Sequence, residues 1–177
     1  MYRILDATLR LMAPVLSFTI DEAWSHFNRP VGAPTHVFLA RLPEAGDFPE
    51  DGDLMQSMAT FREVRDVVLK SLEDARVAKT IGHPLEARVT VRVKDGGAYD
   101  KAVSRFEAIL PELFVTSRSA VERVESLPGV DAPAEAVVEP IDEERCARCW
   151  NRFEDVGANP NHPDLCARCA DVMESNE

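Results

Sequence analysis

Residues 145–169 open with Arg145-Cys146-Ala147-Arg148-Cys149-Trp150 and close with Leu165-Cys166-Ala167-Arg168-Cys169. The pattern is C-x2-C, 16 intervening residues and C-x2-C again, and it uses all 4 cysteines of the chain. This is the spacing of a four-thiolate zinc site. Each C-x2-C makes a tight turn that sets two sulfurs on neighbouring vertices of a tetrahedron, with Zn–S of about 2.3 Å. A disulfide framework would spread its cysteines to close long loops. Two disulfides or a redox dithiol are the competing readings, and the tight pairing favours metal. Zinc is the default structural metal for such a set, with iron as the alternative. Cys146, Cys149, Cys166 and Cys169 leave no open coordination position, so the metal is expected to be structural rather than catalytic.

The two turns are near copies, so the site should have approximate two-fold symmetry. Four thiolates around Zn²⁺ carry a net charge of about −2. Arg148 and Arg168 lie inside the turns, and Arg145 and Arg152 flank the first. Such arginines offset the thiolate charge or bind phosphate. Arg168 is assigned the first role, and Arg148 is open to either. Trp150 also has two readings. It packs over the metal, or it is an exposed platform on which a base stacks, worth about 1–3 kcal/mol per base. His162 lies between the knuckles, where four cysteines already complete the ligand set.

Upstream, hydrophobic periodicity divides the chain. Ala87, Val89, Val91 and Val93 alternate with polar residues, as a half-buried strand does, and Asp95-Gly96-Gly97 turns the chain. Tyr99, Val103, Phe106 and Leu110 mark a short helix that Pro111 should stop. Leu113-Phe114-Val115, Ala120-Val121 and Ala136-Val137-Val138 read as strand pieces, with Pro128–Glu135 as a loop. Leu54, Met58, Phe61, Val64, Val68, Leu72 and Ala75 repeat at three or four residues, which is the strongest helix signal. Asp53 and Gln56 precede it at capping-box spacing. Leu5, Leu9 and Met12 form a helical stripe from the start, with no capping residue ahead, which suggests a piece of a longer chain. Pro14 suits the first turn of a second helix carrying Leu16, Ile20, Ala23, Trp24 and Phe27. The expected fold class is therefore α+β in three parts: a helical bundle over 1–84, a small α+β unit over 85–141 and a four-cysteine zinc module over 142–177. Pro128–Glu135 and Ile141–Glu144 are the expected hinges.

The net charge of −11 argues against a generic salt-driven nucleic-acid binder. No apolar run is long enough to span a membrane. No nucleophile motif, P-loop or dinucleotide fingerprint occurs. The pairs Asp21-Glu22 and Glu143-Glu144 are expected to be solvated surface, since neighbours on a helix do not face each other. Thr80-Ile81-Gly82-His83 is similar to a nucleotide-binding signature. It follows a helix and precedes a strand, the reverse of the context that signature needs, so Gly82 is expected to cap the helix C-terminus.

Met12-Ala13-Pro14-Val15-Leu16-Ser17-Phe18-Thr19-Ile20-Asp21-Glu22-Ala23-Trp24 resembles the anticodon-binding helical domain of class I aminoacyl-tRNA synthetases, a stretch shared with the valyl and leucyl enzymes. The cysteine module with its Trp resembles the C-terminal zinc module of the bacterial isoleucyl-tRNA synthetase family. Lys79-Thr80-Ile81-Gly82-His83-Pro84-Leu85-Glu86-Ala87 resembles that family's helix-to-strand transition. The resemblance runs over the whole chain. It implies an isoleucine tRNA as partner, one structural zinc, and base or phosphate contacts by Trp150, Arg148 and Arg152. It also implies upstream catalytic and editing domains that supply the ATP site, since HIGH and KMSKS are absent from this chain. The fragment alone would then be an inactive part of a cytoplasmic, monomeric ligase with no membrane partner. The equivalent part of a valyl or leucyl enzyme is the near alternative, and two other readings are weighed. One is a zinc-stapled protein-interaction module. The other is the tail of a formamidopyrimidine-DNA glycosylase, which would need a proline at position 2, where this chain has Tyr2.

Overall fold

Ala87, Val89, Val91 and Val93 are all fully buried on one face of strand β1 (Ala87–Lys94), as their alternation requires. In this computed structural model, which describes residues 1–48, 50–129 and 132–175, β1 is the centre of a three-stranded sheet of order β2-β1-β3. Strand β2 (Arg118–Val124) pairs with β1 in parallel, Val91 opposite Val121. Strand β3 (Glu135–Pro140) pairs with its other edge antiparallel, Val89 opposite Val138. A parallel pair needs a crossover. Here it is helix α4 (Ala98–Phe106), a 3-10 turn and the short helix α5 (Leu110–Phe114).

The long amphipathic helix, α3 (Gly52–Val77), covers the same face of the sheet. Phe61, Val64, Val68 and Leu72 are buried among Val89, Val91, Val93, Val103, Phe106 and Phe114. Phe61 stacks on Phe114 at 5.6 Å and meets Phe106 edge-on at 5.2 Å. The chain divides into two compact units, Met1–Asp51 and Gly52–Glu177. The expected boundaries lie at 84 and 141, while by packing α3 joins the α+β core. A helical stripe tells that a face is buried, not what buries it.

Pro111 does not stop a helix. It occupies the first turn of α5, where its missing N–H costs nothing. Leu113-Phe114-Val115 is accordingly helix followed by a left-handed cap at Val115 (φ 59°), not strand. A run of three apolar residues has no period to distinguish the two. Within the expected loop Pro128–Glu135, Val130 and Asp131 lie outside the described residues.

In the first unit, α1 (Tyr2–Met12) and α2 (Ser17–His26) bury Leu9, Ala13, Ile20 and Trp24 with Val37. Pro14 sits in the turn before α2, not within its first turn. Asp21 is not merely solvated. It accepts from the Val37 N–H at 3.1 Å and pairs with His36 Nδ1 at 2.8 Å, fastening the loop to α2. Those contacts, His36 first, hold its carboxyl below the ordinary 3.8.

Gly82 is not the helix cap. The chain leaves α3 through Lys79, which takes the left-handed conformation (φ 61°). The Lys79 N–H donates to Arg76 O at 3.0 Å and the Thr80 N–H to Ala75 O at 2.9 Å, a Schellman closure. A Cβ at position 82 would sit 3.1 Å from Glu86 Oε2, so a side chain there would press on that carboxylate. That carboxylate accepts from the Gly82 N–H at 2.8 Å and the His83 N–H at 3.2 Å.

Candidate metal centre and nucleic-acid interface

The four cysteine sulfurs lie within 4.8 Å of one another. Cys149 Sγ and Cys166 Sγ are 3.8 Å apart, close to the edge of a tetrahedron built on Zn–S bonds of about 2.3 Å. Each pair rides on its own turn. In the first, the Trp150 N–H donates to Cys146 O at 3.0 Å and the Cys146 N–H to Asn151 O at 2.9 Å. In the second, Cys166 opens helix α6 (Ala167–Glu174), and the N–H groups of Cys169 and Ala170 donate to its carbonyl at 2.9 and 3.0 Å. The expected two-fold symmetry therefore ends after the fourth ligand, where one copy continues as helix and the other turns back. Leu165, Phe153 and Val156 enclose the cluster.

Without metal the thiols cannot all ionise together. Burial raises Cys146, but N–H groups of Cys149, Cys166 and Arg148 outweigh it and bring the thiol down to about 6. Burial drives Cys166 up to about 12, reinforced by the neighbouring thiols. A divalent cation resolves this conflict by taking all four as thiolates. The residues thus fit a closed tetrahedral zinc site and nothing in them resembles an open catalytic one. The two knuckle arginines cross over. Arg148 Nη1 lies 3.7 Å from Cys169 Sγ, and the Cys149 sulfur raises the pKa of Arg168. Each arginine of one pair thus serves the sulfurs of the other, so Arg148 shares the charge-offsetting role expected of Arg168.

Trp150 does not pack over the metal. The residue is 58% exposed, and its backbone is left-handed (φ 66°). The Arg145 guanidinium lies 5.8 Å from its ring centroid. Arg152, expected from the resemblance to meet nucleic acid, also has partners within the chain. Its guanidinium turns inward, to Glu143 O at 2.9 Å and Glu86 Oε1 at 3.3 Å. The paired acids Glu143-Glu144 are likewise not idle, since Glu143 binds Arg118 at 3.3 Å. Sequence reading missed Glu86 and Ser117 entirely, because both lie far from the cysteines along the chain. Beside the knuckle, Leu85, Val115, Thr116, Ser117, Asn151 and Arg168 line an open cleft of about 440 Å³.

Taken together, the geometry defines an α+β protein that carries a structural zinc finger. Residues 143–172 match the zinc finger found in FPG and IleRS. Residues 1–91, about half of the chain, match the anticodon-binding domain of tRNA ligases, and the chain belongs to that family. It is 39% identical over 175 residues to an isoleucine–tRNA ligase of Carboxydothermus hydrogenoformans, covering 98% of this chain and 18% of that relative. It is 39% identical over 180 residues to the corresponding ligase of Geobacter sulfurreducens, covering 98% of this chain and 19% of the relative. The chain thus spans about a fifth of the length of the curated relatives that it matches. No helix among the described residues is long and apolar enough to cross a membrane.

Proposed function

We propose that this chain grips the anticodon stem and loop of an isoleucine tRNA on behalf of an isoleucine–tRNA ligase. Cys146, Cys149, Cys166 and Cys169 hold one structural zinc. The zinc fixes the first knuckle, and the knuckle presents Trp150 to an unstacked base. Arg148, with Arg145 beside it, supplies positive charge for neighbouring phosphates. Arg152 orients the knuckle rather than touching RNA. Amino-acid activation with ATP, transfer of isoleucine and editing belong to the portion of the relatives that this chain does not span. The whole ligase acts in the cytoplasm as a monomer.

The observation that carries this reading is Trp150 itself. A non-glycine residue in the left-handed region costs of order 1–3 kcal/mol, and this one recovers little of it by burial. Glycine or asparagine would suit the fold better there. A large, exposed aromatic ring beside arginines is what base stacking needs. The test is a titration of isoleucine tRNA and a non-cognate tRNA against the zinc-loaded chain at low salt, with Trp150→Ala alongside. Cognate preference that Trp150→Ala weakens by about 1–3 kcal/mol, at constant zinc content, supports the proposal. The net charge of −11 favours a second reading, a protein-interaction module. That reading predicts no tRNA binding by a ligase bearing the chain beyond what the ligase shows without it.

A further inference from the structure

The Thr80-Ile81-Gly82-His83 corner and the inward-turned Arg152 meet at one carboxylate. Glu86 Oε2 is cradled by the Gly82 and His83 N–H groups at 2.8 and 3.2 Å, and its Oε1 faces Arg152 Nη2 at 3.3 Å. The amide cradle is therefore filled by the chain's own anion, which presents its second oxygen to the zinc module. Around that pair the backbone is also tied. The Arg152 N–H donates to Ser117 Oγ at 2.8 Å, and the Ser117 hydroxyl donates to Leu85 O at 2.6 Å. The Ile141 N–H donates to Glu86 O at 2.7 Å, anchoring the chain where it leaves β3 for the zinc module. Arg118 adds a strut from β2, 3.3 Å from Glu143 and 3.0 Å from Glu154. Ile141–Glu144, read from sequence as a hinge, is thus bracketed on both sides.

We infer that Arg152 and Glu86 form a clamp that fixes the orientation of the zinc knuckle on the sheet, and that Arg152 is thereby the positioning residue for Trp150. The chemistry suits the task. A guanidinium forks to two acceptors, here a carboxylate and a carbonyl on different segments. The carboxylate cannot swing away, because two amide groups hold its other oxygen. Trp150 lies two residues from Arg152, on the same turn, so a shift of the clamp moves the platform directly. The role at RNA rests on the function proposed above; the clamp itself does not.

The deciding experiment compares N–H residual dipolar couplings of the zinc-loaded chain in wild type, Arg152→Met and Glu86→Gln. In wild type, couplings from β1, β2 and β3 and those from residues 145–169 fit one alignment tensor. In the variants they require two, with one zinc per chain retained. Two tensors in the wild type, or one tensor in both variants, overturns the clamp. Should Arg152→Met fail to fold, Glu86→Gln decides, since it removes a charge and keeps the shape. Binding to isoleucine tRNA supplies the second readout. Arg152→Met should cost about as much affinity as Trp150→Ala, about 5- to 150-fold, and the double variant no more than either. Full additivity of the two losses overturns the positioning role. Absence of tRNA binding in the wild type refutes the proposed function, while the dipolar couplings still decide the clamp.

Discussion

Trp150 shows how a single position can be occupied for reasons other than local preference. At Trp150 the fold asks for a residue that tolerates positive φ and receives a large ring. Trp150→Gly should therefore leave thermal stability and zinc content unchanged or slightly raise the melting temperature, while lowering tRNA affinity as Trp150→Ala does. A melting curve and a titration check the two halves separately. Asp100 gives a contrasting case of a polar residue retained for stability. Burial raises its carboxyl, but the Gly96 N–H at 3.1 Å, Arg123 at 2.9 Å and Ser104 at 3.2 Å outweigh it and hold it below the ordinary 3.8. A carboxyl lowered by folding stabilises fully above its unfolded value, and that stabilisation fades as pH falls through the lower folded value. Asp100→Asn should thus destabilise at neutral pH by about 1–3 kcal/mol. The deficit should shrink below pH 3.8, as denaturant titrations across that range would read.

At the scale of the element, legibility followed the strength of the period. Strand β1 was readable because four small apolar residues alternate without interruption, and the structure buries each of them. Helix α3 was readable as a helix, but its partner was not, since the same stripe would serve a bundle or a sheet. The stretch Leu110–Phe114 was misread because proline both ends helices and begins them. The cysteine pairs were legible in sequence, since ligand spacing is local. The clamp was not, since Glu86 and Ser117 reach Arg152 only through the sheet. The packing of α3 makes Phe61 the residue on which the core turns, fully buried between Phe106 and Phe114. Phe61→Ala should cost about 3–5 kcal/mol. Chemical denaturation should show the loss in the α+β core, and the separate core of Leu9, Ile20 and Trp24 should be spared.

For the molecule as a whole, the acidic balance sets how nucleic acid can be held. With Arg145 and Arg148 as the available phosphate contacts, the slope of log K against log salt should be shallow. About 0.7 per contact gives a slope of about −1.4. A slope steeper than about −5 would mean that many further cations meet the RNA. Zinc has an equally global consequence. Structural zinc sites carry apparent binding energies of about 10–16 kcal/mol, which the cysteine module spends on its own folding. Chelation, or Cys169→Ser, should unfold the module while β1 and α3 keep their protected amides. Hydrogen exchange before and after chelator distinguishes this from collapse of the second unit.

The sheet order has a consequence for synthesis. The central strand β1 is made first, and neither of its neighbours exists when it leaves the ribosome. Its pairing with β3 waits until residue 140 has emerged, so that edge of β1 stays unpaired while the crossover and the loop are being translated, with only the earlier helix α3 on hand to cover its valines. The unit ending at Asp51 has no such delay. The last cysteine ligand, Cys169, arrives later still. Maturation should therefore proceed in three instalments, with the interval between β1 and β3 as the period when the nascent chain depends most on chaperones.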